Sequence, residues 1–407
     1  LERALDRILR HVGIVVADWR PMLRRAEEAV AAYTAAPPSV PVADLAESIQ
    51  FLKWLLDENF TFLGMRAMTF VGGRKDGRLK PVAGSGLGIL RDRDVYVLKR
   101  GAESLHTTPE IRKFFFGPCP LIITKANVRS TVHRRTYMDY IGVKIYGDND
   151  EISGELRIVG LFTSTAYTRS TRKIPFLRQK VEMVLGRSGF APNSHGGKVL
   201  MNVLETFPRD ELFQIGVDQL FYTATGIQAL DLRPRPRAFA RLDDFDRFVS
   251  VIVFVPRDRF STTVRQRIGE FLAEAYKGRL SAFYPFFPEG PLIRIHYIIG
   301  RYEGKTPVHE QAFLDENIER IIRTWEDQLA DELDHAGSRI SAALSQKYQG
   351  AFPAAYQAVF SPERAVRDIA EFEIVGLGVD SVTGLDVDLI VQRLVGRDDA
   401  AKRIPGS

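Results

Sequence analysis

Phe248-Val249-Ser250-Val251-Ile252-Val253-Phe254-Val255-Pro256 is an almost wholly apolar run stopped by proline, too short for a core helix and rich in β-branched residues. It reads as a strand. After it, Val264, Ile268, Phe271, Leu272 and Ala275 fall on one side of an amphipathic helix, with Ser261 or Thr262 as its cap and Gly278 as its stop. Two more apolar runs follow, Leu280 to Phe287 and Leu292 to Ile299. A second amphipathic stretch from Val308 to Leu333 repeats Leu314, Ile318, Ile321, Ile322, Trp325 and Leu329. With an extra strand in front at Arg237 to Leu242, the order is ββαββα. That order predicts an α+β sandwich, helices on one face of an antiparallel sheet, with the other face or an edge left for a neighbour.

Working outward, Phe60 to Val71, Gly88 to Lys99, Leu121 to Arg134, Ile141 to Tyr146 and Glu155 to Phe162 are rich in β-branched and aromatic residues. They predict a mixed domain with a largely antiparallel sheet of about five strands, and a short helix near Thr108-Pro109. Helical spacing recurs from Pro175 to Leu185, from Ser194 or His195 to Leu204, and from Pro208 through Leu220 to Leu230. In the last, Arg209-Asp210-Glu211 places acids in the first turn, where the helix dipole favours them. Ahead of the strands, Leu5, Ile8, Leu9, Val12, Val16 and Trp19 mark a long helix with room for a kink at Pro21. Its apolar stripe needs a partner. A proline-rich linker, Ala35 to Pro41, leads to a second helix, Ala43 to Asp57. Past Gly337 come helical stretches to Tyr348 and from Pro353 to Phe360; the residues after them have little periodicity.

The chain has 407 residues, enough for two to four domains, and its net charge of +5 is small for that size. Both charge signs are mixed along it, which argues against a nucleic-acid binder. One cysteine, Cys119, excludes an internal disulfide framework and fits a reducing, cytoplasmic setting. No run approaches the ~18 apolar residues of a membrane span. The chain opens at Leu1 without an initiator methionine and reads as a stretch of a longer polypeptide.

The candidate sites are few. Gly84-Ser85-Gly86-Leu87-Gly88 lacks the G-x-G-x-x-G spacing of a dinucleotide loop and is read as a plain loop. Ser194-His195-Gly196-Gly197-Lys198 opens a helix, where free N–H groups, His195 and Lys198 are candidates for an anion. Lys125, Arg129, His133, Arg134 and Arg135 form the densest basic cluster, read either as a solvated or subunit-contacting sheet face or as a seat for an acidic metabolite. Arg294 and His296 alternate on one strand and are expected to face solvent or a partner. The histidines at 11, 106, 133, 195, 296, 309 and 335 lack metal-ligand spacing. No catalytic or metal-binding constellation emerges.

Several strings resemble the large bacterial NAD-specific glutamate dehydrogenases: Thr124-Lys125-Ala126-Asn127-Val128-Arg129-Ser130, Tyr137-Met138-Asp139-Tyr140-Ile141-Gly142, Gly160 to Tyr167, Val203 to Phe213, and Ala282-Phe283-Tyr284-Pro285-Phe286-Phe287-Pro288-Glu289-Gly290-Pro291. Phe60-Thr61-Phe62-Leu63-Gly64 and Arg247 to Asp258 belong with them. The resemblance spans about residues 1 to 360 and implies a regulatory N-terminal portion. It implies a helix and linker over 1–41, a PAS-type α+β domain over 42–190, connecting helices over 191–234 and an ACT-like ββαββα domain over 235–336. Residues 337–407 would be a helical segment and the start of a further domain. It further implies NAD as cofactor of the full-length family but none in this stretch, and a dehydrogenase core downstream. A homo-oligomer and an amino-acid effector are expected, the alternative being an assembly module without a ligand.

Overall fold

A computed structural model describes residues 2–73, 77–92, 95, 99–100, 103–104, 115–147, 149–302, 304–336 and 341–376. The chain divides into two compact units, one of Leu1–Phe254 with Gly269–Gln311, the other of Val255–Ile268 with Ala312–Ser407.

In the first unit, helix α1 (Glu2–Ala35) and helix α2 (Val42–Trp54) precede strand β1 (Phe60–Val71). Next come β2 (Arg78–Pro81), β3 (Leu87–Gly88), a short ladder of β4 (Lys99–Arg100) with β5 (Glu103–Ser104), then β6 (Leu121–Arg129), β7 (Tyr137–Tyr146) and β8 (Ile152–Phe162). The large sheet has the order β2-β1-β8-β7-β6, with β3 also on β1, and its printed pairings are all antiparallel. Long strands from Phe60, Leu121, Ile141 and Glu155 are where their composition puts them. The strand expected over Gly88 to Lys99 is not formed: after Gly88 the chain makes a tight helical turn at Ile89–Arg91. Arg66 explains this, because its guanidinium donates to the carbonyls of Leu90 and Asp92 and holds the turn over β1. Likewise β6 stops at Arg129, and Ser130 to Arg135 form a bend in which His133 has φ 68°. The expected helix near Thr108 lies outside the described residues.

The C-terminal half of α1 is anchored by buried Met22, Ala26 and Tyr33. Asp18 accepts from Gly88 N at 2.7 Å and from Arg91 Nε at 2.5 Å. The stripe in its first half stays largely exposed, Leu9 at 61% and Val16 at 70%.

Helices α3 (Ser164–Thr168), α4 (Leu177–Ser188), α5 (His195–Thr206), α6 (Arg209–Gln214) and α7 (Val217–Leu232) connect to the second sheet. The single helix expected from Pro208 to Leu230 is broken, since Ile215 and Gly216 are extended (ψ 135° and 155°). The second sheet comprises β9 (Arg237–Leu242), β10 (Phe248–Pro256), β11 (Gly278–Phe286) and β12 (Leu292–Arg301), in the order β11-β12-β10-β9. Helix α8 (Thr262–Ala275) lies between β10 and β11 in sequence, as the ββαββα reading requires.

Alternation on β12 sets Ile293, Ile295, Tyr297 and Ile299 on one face and Arg294, His296, Ile298 and Gly300 on the other. The first face receives α8: a Cβ at Gly269 would sit 3.0 Å from Leu280 Cδ2 and 3.5 Å from Tyr297 Cε1, so glycine permits this approach. The second face, or an edge, was expected to be left for a neighbour; this face is covered by segments of the same chain. Ile252 and Phe254 of β10 join Phe239, Phe245 and Leu292 in the main core. Gln219 of α7 donates to the carbonyl of Ala240 at 3.0 Å, and the Phe239 ring lies against Gly226. A strand covered on both faces needs an unbroken apolar run, which is what 248–256 is.

Gly278 does not stop α8 by left-handed backbone. Lys277 takes that conformation (φ 48°), while Gly278 is small because a Cβ there would meet the Gly300 carbonyl oxygen at 2.5 Å.

In the second unit, α9 (Gln311–Ile322) and α10 (Trp325–Ala336) replace the one helix expected to Leu333, the break being capped by Thr324, whose Oγ1 accepts from Asp327 N at 3.1 Å. Helices α11 (Ser341–Tyr348), α12 (Ala354–Val359) and α13 (Pro362–Gly376) follow. Leu329, Leu333, Ala365, Val366 and Ile369 form their core. The periodicity missed after Phe360 is therefore real, a buried stripe of Ala365, Val366 and Ile369 at helical spacing.

Candidate functional site

Where β6, β7, α6 and the second sheet meet, within the first unit, lies a cavity of about 210 Å³. Its walls are Lys125, Thr136 and Tyr137 from the first sheet, Asp210, Glu211 and Gln214 from α6, and Arg247, Phe248, Arg279, Tyr284, His296 and Arg301 from the second. A second cavity of about 280 Å³ between α1 and β7 is mainly apolar, and its Lys144 ammonium donates to the carbonyl of Gly117 at 2.5 Å.

The charged groups around the first cavity hold one another. Lys125 Nζ lies 2.7 Å from Asp139 and 3.1 Å from Asp210. Burial works against its charge, but the two carboxylates outweigh it and raise its pKa. Burial and the neighbouring Asp210 charge push the Asp139 carboxyl up to about 6, against the opposing pull of Lys125. Glu211 accepts both forks of Arg241, one at 3.0 Å. Burial would raise the Glu211 carboxyl, yet Arg241, His296 and a hydrogen bond from Ser250 bring it below the usual range. Arg247 grips Asp243 through Nε at 2.7 Å and Nη2 at 2.9 Å, and donates to Lys125 O at 2.5 Å and Thr124 Oγ1 at 2.8 Å. Arg301 is consumed by backbone carbonyls of Tyr276 and Lys277 and by Thr306.

His296 corrects an expectation: it is only 5% exposed, because its face of β12 is covered by α6 rather than by solvent. Its Nε2 lies 2.7 Å from Ser250 Oγ and 4.0 Å from Glu211 Oε2. Burial pulls its pKa down, against the opposing fields of Glu211 and Asp210. Serine, histidine and acid do not form a nucleophilic relay here. In a relay the acid holds one ring nitrogen and the hydroxyl the other; here both gather at Nε2, and Ser250 is 1% exposed.

The basic cluster splits up. Lys125 is the buried member, contrary to a solvated face, since a bulge between Lys125 and Arg129 turns the strand. Arg129 stacks 5.0 Å from the Tyr137 ring and donates to Ser281 O at 2.9 Å. Arg134 donates to Phe162 O at 2.7 Å, and His133 and Arg135 are exposed. Arg294 reaches Thr206 O at 2.6 Å and stacks on Phe286; burial lowers its pKa to about 10. His195 and Lys198 are exposed at the start of α5, where Ser194 Oγ already accepts from Gly197 N at 3.1 Å. So Lys125 and His296 come together, and the others do not join them. Asp210 and Glu211 escaped sequence reading because an acidic first turn has a local explanation. The dense charges Arg241-Leu242-Asp243-Asp244 and Asp246-Arg247, flanking an apolar strand, were the available signal.

Among the described residues no group of three or more His, Cys, Asp or Glu is gathered for a metal, and no helix is long and apolar enough to cross a membrane. The glycine run 84–88 does not fit a nicotinamide dinucleotide. Cβ atoms at Gly86 and Gly88 would meet the carbonyl oxygens of Leu90 and Leu63 at 2.4 and 2.2 Å, so these glycines admit the chain's own backbone.

Three family models match the chain: glutamate dehydrogenase ACT2 domain over residues 237–326, helical motif 1 over 174–233 and helical motif 2 over 333–375. The NAD-specific glutamate dehydrogenase of Halomonas elongata is 37% identical over 375 residues, 91% of this chain and 23% of that protein. That of Pseudomonas aeruginosa is 35% identical over 373 residues, again 91% and 23%. That of Mycobacterium tuberculosis is 28% identical over 383 residues, 91% and 22%. The chain thus spans less than a quarter of the length of these relatives.

Proposed function

Because this chain belongs to the NAD-specific glutamate dehydrogenase family, as a stretch carrying its ACT2 domain and helical motifs 1 and 2, we propose that it regulates such an enzyme rather than housing its chemistry. The reaction regulated would be oxidation of L-glutamate by NAD and water to 2-oxoglutarate, ammonium and NADH. The observation that carries this reading is the cavity where the first sheet, α6 and the ACT2 sheet converge. A small metabolite bound there touches all three pieces at once. It shifts a distant active site to the extent that it favours one arrangement of them. The cavity, smaller than the about 300–1,000 Å³ of drug-sized pockets, suits a metabolite. In the same reading the six-stranded sheet is the PAS-type domain, the assembly is a homo-oligomer, and the setting is cytoplasmic.

The test is enzymatic. The 407-residue chain should not reduce NAD with glutamate, whereas a full-length enzyme containing it should change its kcat/KM at least about fivefold with an amino acid other than the substrate. Glutamate oxidation by the 407-residue chain alone would overturn the assignment.

A second reading, an assembly module without ligand, draws on the exposed α1 stripe and on Tyr284, Phe286 and Phe287 at the β11 edge. Sedimentation of the chain as an oligomer, with no metabolite raising its Tm, would favour it.

A further inference from the structure

We infer that two copies of this chain pair through the first half of α1, running antiparallel about a two-fold axis beside Gly13. This deepens the homo-oligomer reading and rests on it, since it names the surface and the geometry of the contact.

The apolar seam of α1 keeps coiled-coil spacing along the whole helix. Leu5, Leu9, Val12, Val16 and Trp19 follow at alternating steps of four and three, and Leu23, Ala26, Val30 and Tyr33 continue the same steps. Such a repeat, sustained over about four heptads, is the pattern of a helix that packs on another helix. The second half of the seam has its cover: Ala26 and Tyr33 are buried, and Leu23 and Val30 pack on the core. The first half does not, and Trp19 is still 52% exposed. A seven-residue repeat drifts about 20° per heptad around a helix that is not supercoiled. A stripe that faces the core at Tyr33 has therefore turned away from it by Leu5, and the exposed half continues a seam that is already packed.

The residues beside the seam say what fits it. Asp6, Gly13 and Arg20 lie seven apart on its exposed flank, with opposite charges equally far to either side of the glycine. That flank is complementary to its own reverse. Antiparallel pairing sets Asp6 against the partner's Arg20 and Arg20 against the partner's Asp6, while Leu9 meets the partner's Trp19 and Val12 the partner's Val16. Such reciprocity characterises a contact between identical copies. Gly13 falls at the axis. A Cβ there would meet nothing within 4 Å in its own chain, so the fold does not ask for glycine, which weakens a helix interior relative to alanine. Close approach of a second backbone supplies the reason.

The other flank argues against a parallel pair. That pairing would set Asp6 and Arg20 against the row of Ile8, Val15 and Met22, which carries no charge and whose Val15 and Met22 are buried in the chain's own core. His11 lies 2.8 Å from Thr131 and Asp18 holds Gly88, so the sheet sits toward the C-terminal side of α1. Antiparallel overlap of the first halves carries the two sheets toward opposite ends.

Sedimentation of the 407-residue chain tests this. The parent chain should dimerise, and Leu9→Asp should give a folded monomer, because Leu9 is exposed within one copy. Asp6→Arg and Arg20→Asp should each raise the dimer Kd about tenfold, since each change acts twice across the axis, and the chain carrying both should return near the parent's Kd. Gly13→Leu should leave the monomer folded and weaken the dimer about tenfold. A parent chain still monomeric at about 100 µM, a dimer indifferent to Leu9→Asp, or a double reversal no tighter than either single change would each overturn the pair. A full-length enzyme that is an oligomer regardless of Leu9→Asp would refute the pair as its assembly contact while leaving the homo-oligomer reading standing. If Leu9→Asp destabilises that enzyme without changing its stoichiometry, another segment covers the stripe and the second copy is refuted. A monomeric full-length enzyme, beside a 407-residue dimer that obeys the charge reversals, would keep the pair and refute the homo-oligomer.

Discussion

His296 illustrates how one buried ring ties stability to pH. Glu211 and Asp210 from α6, Arg294 on its own strand and Arg241 from β9 all face it, and burial outweighs their sum, so its pKa lies below the ordinary 6.5. The sign follows from which state binds the extra proton. Below 6.5 the unfolded chain takes up a proton that the folded ring refuses, so the stability present above 6.5 is lost progressively as pH falls toward the folded value. Glu211 adds a second window: its lowered pKa contributes stability above the ordinary 4.5, lost as pH falls through the folded value. Asp139, raised to about 6, works in the opposite sense over the same range, so the test is a difference: in thermal melts at stepped pH, Tm should fall more from about pH 6.5 downward in the parent chain than in His296→Gln, with the acid limb shared. An unchanged slope in the variant would locate the titration elsewhere.

At the scale of elements, the end of α8 distributes two backbone demands over neighbouring residues. Lys277 sits in left-handed backbone, which costs a side-chain-bearing residue about 1–2 kcal/mol. Gly278 has to be small because β12 passes over it. Lys277→Gly should therefore stabilise the chain by about 1 kcal/mol in urea melts, since only backbone groups of Lys277 are bonded, its N–H to Glu274 and its carbonyl to Arg301. Gly278→Ala should destabilise it by more than that, the reverse of what a glycine stop signal implies. The order strand, strand, helix, strand, strand, helix was legible in the sequence because periods of two and of 3.6 are local properties. The stop was misplaced because a glycine's reason for being small lies on a strand about twenty residues away. The turn after Gly88 was misread as a strand for a similar reason: Arg66 imposes it from the neighbouring strand, more than twenty residues earlier in the chain.

For the whole molecule, the notable feature is that buried charges join its pieces. Glu211 and Arg241 link helical motif 1 to the ACT2 sheet, Lys125 and Asp210 link the first sheet to the same helix, and Arg247 crosses from the ACT2 sheet to Thr124 and Lys125. Breaking a buried pair leaves an uncompensated charge, so Arg241→Met should cost about 3–5 kcal/mol. Adding Glu211→Leu to it should restore much of that loss in the same denaturant melts, leaving a double variant that folds. Failure of the second change to recover any stability would show that Glu211 is held mainly by Ser250 and His296. Because these ties are buried, added salt should weaken them little.

The amino-acid sequence by itself determined the kinds of elements, the ββαββα order after Arg237 and, through long shared strings, the family. Those are carried by residues close together in the chain. It also marked 248–256 as an almost wholly apolar strand, but not what would cover the second side of the sheet. Only the tertiary structure decided that α6 and α7 do so, that His296 and Lys125 lie inside rather than on the surface, and that a cavity is left between them. The physical reason is that periodicity records which face seeks burial, whereas the partner that buries it, and the charge that balances a buried charge, come from segments far apart in sequence that meet only in the folded chain.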